Sequence, residues 1–154
     1  MNGVQWCVIF QMDSFVKVFG AEQAKKLLHV WTMSCTELIR HFKDPDEVEN
    51  IVKAQRIAEK AFEHILGYIT PNVTEIDVAL ELEFYMRKLG AEGIAFETIA
   101  VSGSASSMPH GVPRNVKLEQ GFLTMDYGAK VKGYCSDMTR TVVIGKADND
   151  MKKL

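Results

Sequence analysis

The chain contains no paired cysteines, no long apolar run and no surplus of positive charge. Its three cysteines, Cys7, Cys35 and Cys135, are scattered without a CxxC pair, and such a set argues against a disulfide framework and favours a reducing compartment. No stretch approaches the roughly 18 consecutive apolar residues that a membrane helix needs. The first basic residue is Lys17, so a signal peptide would lack its charged leader. These absences predict a cytoplasmic protein with no membrane partner.

The charge balance gives no general attraction to polyanions. The formal net charge is −2, the sequence pI is about 6.1, and no basic patch is concentrated anywhere, so nucleic acid is not an expected partner. With 154 residues, 47% of them hydrophobic, the chain has the size of one ordinary domain. Such a domain can bury a hydrophobic core without disulfides or structural metals. We find no internal repeat and no low-complexity segment.

Two helices are predicted in the middle of the chain. Asp44 suits an N-cap and Pro45 the first helical position, so a helix begins there and ends near Gly67. Thr74 with Asp77 three residues later forms a near capping box for a second helix. The apolar residues that share one face of this second helix are Val78, Leu82, Tyr85 and Leu89. Both helices are expected to be scaffold that covers a sheet.

A run of strands follows the helices. Composition predicts a strand over residues 94–101, a short strand near Met108, and a β-hairpin formed by residues 122–129 and 134–144. Two helices packed on an antiparallel sheet make an α+β fold. The expected organisation is an N-terminal segment of uncertain structure over 1–43, the helices and strands over 44–147, and a tail over 148–154.

The predicted hairpin brings two aspartates together. If its turn is centred on Val131-Lys132, Asp126 falls directly opposite Asp137, and directly opposed like charges are destabilising. Three arrangements offset that repulsion: one carboxylate keeps its proton, an Arg or Lys lies between them, or both bind a divalent metal ion. Gly133 also fits a bulged loop that would shift the register. The spacing alone leaves these alternatives open.

A Ser/Gly/Pro-rich loop over residues 102–113 carries one imidazole, that of His110. Functional residues are frequent on such loops, although a lone loop histidine is usually a solvated or hydrogen-bonded side chain. Two aspartates nearby make His110 a stronger candidate for a functional residue. The candidate site residues are therefore His110, Asp126 and Asp137.

Five segments in order carry a resemblance to a known family. They are AEGIAFETI from Ala91, VSG from Val101, MPHGV from Met108, MDYGA from Met125 and GYCSDMTRT from Gly133. Together they resemble the pita-bread metallopeptidases, a group that includes methionine aminopeptidases, prolidases and creatinase. The last segment is most similar to Xaa-Pro aminopeptidases and related Xaa-Pro peptidases. The resemblance runs from residue 44 to about residue 146.

The resemblance implies a metal-dependent peptidase. It implies that Asp126 and Asp137 are the first two of five ligands to a pair of divalent ions, with manganese favoured and cobalt or zinc as alternatives. It also implies that His110 lines the substrate site and holds the peptide or stabilises the developing oxyanion. Such metal pairs activate water and polarise a carbonyl group. The implied substrate is a peptide with proline at the second position.

The chain also departs from the family pattern. Family members continue through a second half that supplies one His and two Glu ligands, whereas here the last histidine is His110 and the last glutamate is Glu119. We therefore expect residues 44–147 to be a partial domain, the N-terminal half of a truncated pita-bread fold, that is inactive alone. The chain is expected to have a complementary partner chain, to form a homodimer or to be a gene fragment, and a homodimer would restore the shape but not the ligands. The alternative function is a non-catalytic binding or interaction module on the same fold.

Overall fold

The computed structural model describes residues 42–153. Residues 1–41, which hold most of the predicted N-terminal segment, lie outside the described residues. Among these described residues two helices come first, α1 at Pro45–Tyr68 and α2 at Glu75–Lys88. Within the described part of the chain, no helix combines the length and the apolar character that crossing a membrane requires.

Both helices begin where the sequence predicts. Pro45 is the first residue of α1, where its missing N–H costs nothing. At the start of α2 the Thr74 side chain accepts a hydrogen bond from the Asp77 N–H, and the Asp77 carboxylate accepts one from the Thr74 N–H. This reciprocal pair confirms the capping box.

Small residues let α1 pack closely on its neighbours. The residues of α1 with no exposed surface are Ala54, Ala58, Ala61 and Ile65, at the spacing of one helix face. This face lies against α2 and against the strands at Ala129–Val131 and Tyr134–Cys135. The buried face of α2 consists of Val78 and Leu82, as predicted, with Met86, whereas Tyr85 is only partly buried.

The described part of the chain contains six strands, which form two antiparallel sheets. Their bounds are β1 at Gly93–Ile94, β2 at Ile99–Ser102, β3 at Gly121–Tyr127, β4 at Ala129–Val131, β5 at Tyr134–Cys135 and β6 at Met138–Ile144. One sheet has the order β1-β4-β5 and the other the order β2-β3-β6. The prediction of two helices packed on antiparallel strands is confirmed, with two small sheets in place of one.

Two strand predictions are wrong in detail. The stretch 94–101 is divided between β1 and β2, which belong to different sheets. No strand forms near Met108 among the described residues, because residues 103–107 make a 3₁₀ turn and Met108 follows it. A second 3₁₀ turn, at Met151–Lys153, lies in the predicted tail.

The turn of the hairpin lies one residue later than predicted. Val131 pairs with Tyr134, so the two turn residues are Lys132 and Gly133, with φ angles of 48° and 82°. Positive φ at both central residues is the backbone of the tight turns that match the twist of a hairpin. Glycine adopts this conformation without steric cost, which is why the turn includes Gly133 and excludes Val131.

This one-residue shift of the turn moves the pairing by two residues. Asp126 lies opposite Thr139, and Tyr127 opposite Met138, so the prediction that Asp126 lies directly opposite Asp137 is wrong. A shift of two residues keeps each side chain on its own face of the ladder, whereas a shift of one would reverse it. The two aspartates therefore avoid direct opposition without being sent to opposite faces.

A close contact at Gly128 lies where the hairpin passes from one sheet to the other. A Cβ atom at this position would lie 1.9 Å from the Ser136 carbonyl oxygen and 2.9 Å from the Ala95 Cβ. Beside this contact, the Ser136 hydroxyl accepts a hydrogen bond of 3.0 Å from the Ala129 N–H. Only glycine leaves room for this close approach of the backbone at residue 128 to the backbone at Ser136. Gly128 therefore constrains the position of the residue directly before Asp137.

Candidate active site

Alternation along β3 places Asp126 away from the helices. Leu123, Met125 and Tyr127 have no exposed surface, and they pack in the core with both helices. Because successive side chains of a strand point to opposite faces, Asp126 lies on the other face. There it is half buried, opposite Ile99 of β2 on one side and Thr139 of β6 on the other.

Asp126 has a hydrogen-bond donor beside it. The Thr139 hydroxyl donates to the Asp126 Oδ1 at 2.8 Å, a bond that orients the carboxylate. Asp137 is exposed and immediately precedes β6, two residues before Thr139. The two acids thus reach the same end of the β3-β6 pair from different strands.

One cavity of about 590 Å³ brings the three predicted site residues together. Its walls are formed by residues 96–99 before and at the start of β2, by residues 110–113 of the long loop, and by Asp126 and Asp137. His110, which is exposed, therefore shares this cavity with both aspartates. Phe96, Ile99 and Val112 give it an apolar wall, so it joins anionic groups to a surface suited to an apolar side chain.

Two further polar residues of this cavity were not singled out from the sequence. Glu97 is exposed and adds a third carboxylate to its lining. The Thr98 hydroxyl is buried, and no described residue hydrogen-bonds to it. Buried hydroxyls are normally paired, so the Thr98 hydroxyl has unused hydrogen-bonding capacity next to the candidate site.

The donor set fits part of a divalent-metal centre. Carboxylate oxygens are suitable ligands for hard divalent ions, and a hydrogen-bonded carboxylate such as that of Asp126 is typical of metal sites. Within residues 42–153, however, no group of three or more His, Cys, Asp or Glu side chains is arranged to hold a metal ion. Further ligands would have to come from outside these residues.

A buried carboxylate fixes the loop that carries His110, and sequence reasoning missed it. Glu75, the first residue of α2, has no exposed surface, yet its two oxygens accept five hydrogen bonds from Ser102 and Arg114. Burial on its own would raise the pKa of this carboxyl, but the bonds from Arg114 and Ser102 outweigh it and lower the pKa of Glu75 to about 2. Its partners lie 27 and 39 residues away, so no local pattern indicates them.

Solved structures of Xaa-Pro peptidases are similar to this fold. The Xaa-Pro dipeptidase from Bacillus anthracis superimposes with a TM-score of 0.74 at 46% identity, over 77% of this chain and 34% of that one. The X-Pro aminopeptidase from Thermotoga maritima gives a TM-score of 0.75 at 40% identity, over 78% of this chain and 34% of that one. Two helices on antiparallel sheets thus form half of a pita-bread fold, as the sequence predicts.

Curated relatives of this chain are also peptidases. The Xaa-Pro dipeptidase of Pyrococcus furiosus is 39% identical over 154 residues, which are 99% of this chain and 43% of that protein. The uncharacterized peptidase YqhT of Bacillus subtilis is 46% identical over 119 residues, 77% of this chain and 34% of that protein. The chain thus spans less than half the length of these relatives.

The fold and the cavity define half of a pita-bread domain, with two carboxylates as candidate metal ligands. Residues 49–154 match the model of metallopeptidase family M24. The chain belongs to this family of divalent-metal peptidases.

Proposed function

We propose that this chain supplies the first half of the active site of a metal-dependent Xaa-Pro peptidase. The observation that carries the proposal is the meeting of His110, Asp126 and Asp137 around one cavity. The three residues come from a loop, a strand and the position immediately before another strand. Their meeting supports a common role, since isolated surface acids and histidines have no reason to line the same cavity.

Asp126 and Asp137 would hold divalent ions, with manganese favoured because both ligands are hard oxygens. A bound pair of such ions activates water and polarises the scissile carbonyl group. The Thr139 hydroxyl fixes the orientation of the Asp126 carboxylate through its 2.8 Å bond. His110 would contact the substrate, where an imidazole N–H can donate a hydrogen bond to the peptide carbonyl oxygen as negative charge develops on it.

The substrate we propose is a peptide with proline at the second position. Xaa-Pro dipeptidases and an X-Pro aminopeptidase are among the similar proteins. The apolar wall formed by Phe96, Ile99 and Val112 would accept a pyrrolidine ring, which has no N–H to satisfy. Glu97, on the same cavity, would attract the positive N-terminus of such a peptide.

Two carboxylates do not complete a two-metal centre, and we propose that the described residues are inactive alone. The remaining ligands would come from outside these residues; a second copy of the chain would repeat the same acids. A cytoplasmic location remains part of the proposal, and it fits the exposed free thiol of Cys135, because exposed thiols persist in reducing compartments.

A chimera tests this function. Residues 44–154 would replace the matching part of the Pyrococcus furiosus Xaa-Pro dipeptidase, to which the chain is 39% identical. With manganese added, the chimera should hydrolyse an Xaa-Pro dipeptide, and D126N, D137N and H110A should each lower kcat/KM by at least about a hundredfold, near 2.7 kcal/mol.

The control is E97Q, which removes a negative charge from the same cavity without removing a proposed ligand. It should raise KM and leave kcat close to the parent value. A folded chimera that hydrolyses the peptide equally well with D126N, or that hydrolyses none, contradicts the proposed function.

A further inference from the structure

Glu75 joins the two ends of the loop that carries His110. The residue before the 3₁₀ turn, Ser102, donates to Glu75 Oε1 through its N–H at 2.7 Å and its hydroxyl at 2.9 Å. Arg114, which follows the cavity-lining residues, donates its backbone N–H to Oε2 at 2.9 Å. One carboxylate therefore binds the residues on both sides of the loop over residues 103–113.

The side chain of Arg114 completes the attachment. Its Nε donates to Glu75 Oε2 at 2.9 Å and its Nη2 to Oε1 at 2.6 Å. This two-bond fork fixes direction as well as distance. Lysine would keep the charge but could not reproduce the fork.

The backbone at the start of α2 also donates hydrogen bonds to the returning loop. The Glu75 N–H donates to the Val116 carbonyl oxygen at 3.1 Å, and the Ile76 N–H donates to the Arg114 carbonyl oxygen at 3.4 Å. These N–H groups have no partner inside a helix, so the returning loop provides one. The loop end and the helix end each satisfy the polar groups of the other.

The middle of the loop is positioned by close packing of Gly111 against Val101. A Cβ atom on Gly111 would lie 2.9 Å from Val101 Cγ1, so the loop backbone next to His110 rests directly on β2. His110 itself is exposed and the described residues provide no hydrogen bond that fixes it. Its place in the cavity therefore depends on how firmly the two ends of the loop are held.

We infer that Glu75 is a positioning residue, which acts through Ser102 and Arg114 to fix the loop over residues 103–113 and so to hold His110 at the cavity. It does not contact substrate, because it is fully buried outside the cavity lining. What His110 does there rests on the proposed function. The coupling between Glu75 and the loop does not depend on that function, and it can be measured without catalysis.

Backbone NMR relaxation of the full chain tests the inference. The amides of Met108 and Gly111 should be rigid in the parent protein, with order parameters near 0.85, and should fall toward about 0.6 in E75Q. R114K, which keeps the charge and loses the fork, should lower them by a smaller amount. Since Arg114 is half exposed, R114K keeps the test decisive if E75Q fails to fold.

The matched control is D77A at the same helix terminus. Asp77 caps α2 through Thr74 and makes none of the loop bonds, so D77A should lower the melting temperature and leave the loop order parameters unchanged. If E75Q or R114K also lowers only the melting temperature, Glu75 merely stabilises the fold and the inference is overturned.

A second measurement separates this inference from the proposed function. Added Mn²⁺ should broaden the ring signals of His110 in the parent chain, because the ion would lie in the same cavity. Loss of that broadening in R114K, at unchanged Mn²⁺ affinity, supports the positioning role. Absence of broadening in the parent chain contradicts the proposed metal site, and the order parameters still decide the role of Glu75.

Discussion

The chain holds two kinds of acidic site, and they differ in how many hydrogen bonds they receive from the protein. Glu75 is fully buried and accepts five hydrogen bonds, which saturate its lone pairs. Asp126 is half buried with the Thr139 hydroxyl beside it, and Asp137 is exposed. A saturated carboxylate has no capacity for a ligand, whereas Asp126 and Asp137 retain free lone pairs beside a cavity. The first kind stabilises structure and the second is available for chemistry.

The largest change in the free energy of unfolding is expected when the buried acid, Glu75, is replaced. E75Q should destabilise the fold by about 3–5 kcal/mol, because it removes the negative charge that pairs with Arg114 and places an amide N–H₂ against donors. Urea unfolding measures this, and E63Q, at an exposed position of α1, should change stability by less than about 0.5 kcal/mol. Equal stability of E75Q and E63Q would break the distinction between the two kinds of acid.

Lowering the pH should reduce the stabilisation that Glu75 provides. The pKa of Glu75 lies below its ordinary 4.5, at about 2, so its contribution is present above pH 4.5 and is lost as the pH falls toward 2. That contribution is on the order of 3 kcal/mol. Asp77 also has a lowered pKa, so the test is the difference between the parent protein and E75Q. This difference should shrink as the pH falls; a constant difference contradicts the account.

A smaller loss is expected at the backbone crossing next to the cavity. G128A places a Cβ atom against the Ser136 carbonyl oxygen, and the forced shift should cost about 1–3 kcal/mol. G67A is the control, because a Cβ atom there meets nothing within 4 Å. Thermal unfolding measures both variants. A G128A protein as stable as G67A would show that this crossing does not constrain the segment before Asp137.

The smallest effect on stability is expected at the cavity acids. D126N keeps an oxygen that accepts from Thr139, so in chelator its free energy of unfolding should stay within about 0.5 kcal/mol of the parent value. A clear rise in melting temperature for both D126N and D137N would mean that repulsion between the two carboxylates dominates. In that case the pair would have no compensating role in the folded chain.

Local sequence signals predicted most of the scaffold. Pro45 and the Thr74-Asp77 pair define helix starts through contacts within four residues, so reading them needs no tertiary information. The turn was misplaced because strand composition marks both flanks but does not say which two residues adopt positive φ. Asp126 and Asp137 nevertheless line one cavity, because a shift of two residues preserves the face of a strand.

The rest of the candidate site depends on contacts between distant segments. Glu75 is an ordinary acid in the first turn of a helix until Ser102 and Arg114 fold onto it. The hairpin passes from one sheet to the other at the close approach of Gly128 to Ser136. Neither contact leaves a periodic or spacing signal, so neither could be predicted from the sequence.

The most direct test of the central claim is a double-mutant cycle on metal binding. Calorimetric titration with Mn²⁺ would compare the parent chain, D126N, D137N and the double variant. If both carboxylates hold the same ion, each single substitution should weaken binding by at least about tenfold, or 1.4 kcal/mol, and the double variant should lose less than the sum. Unchanged affinity in the single variants, or fully additive losses, would contradict a metal site shared by Asp126 and Asp137.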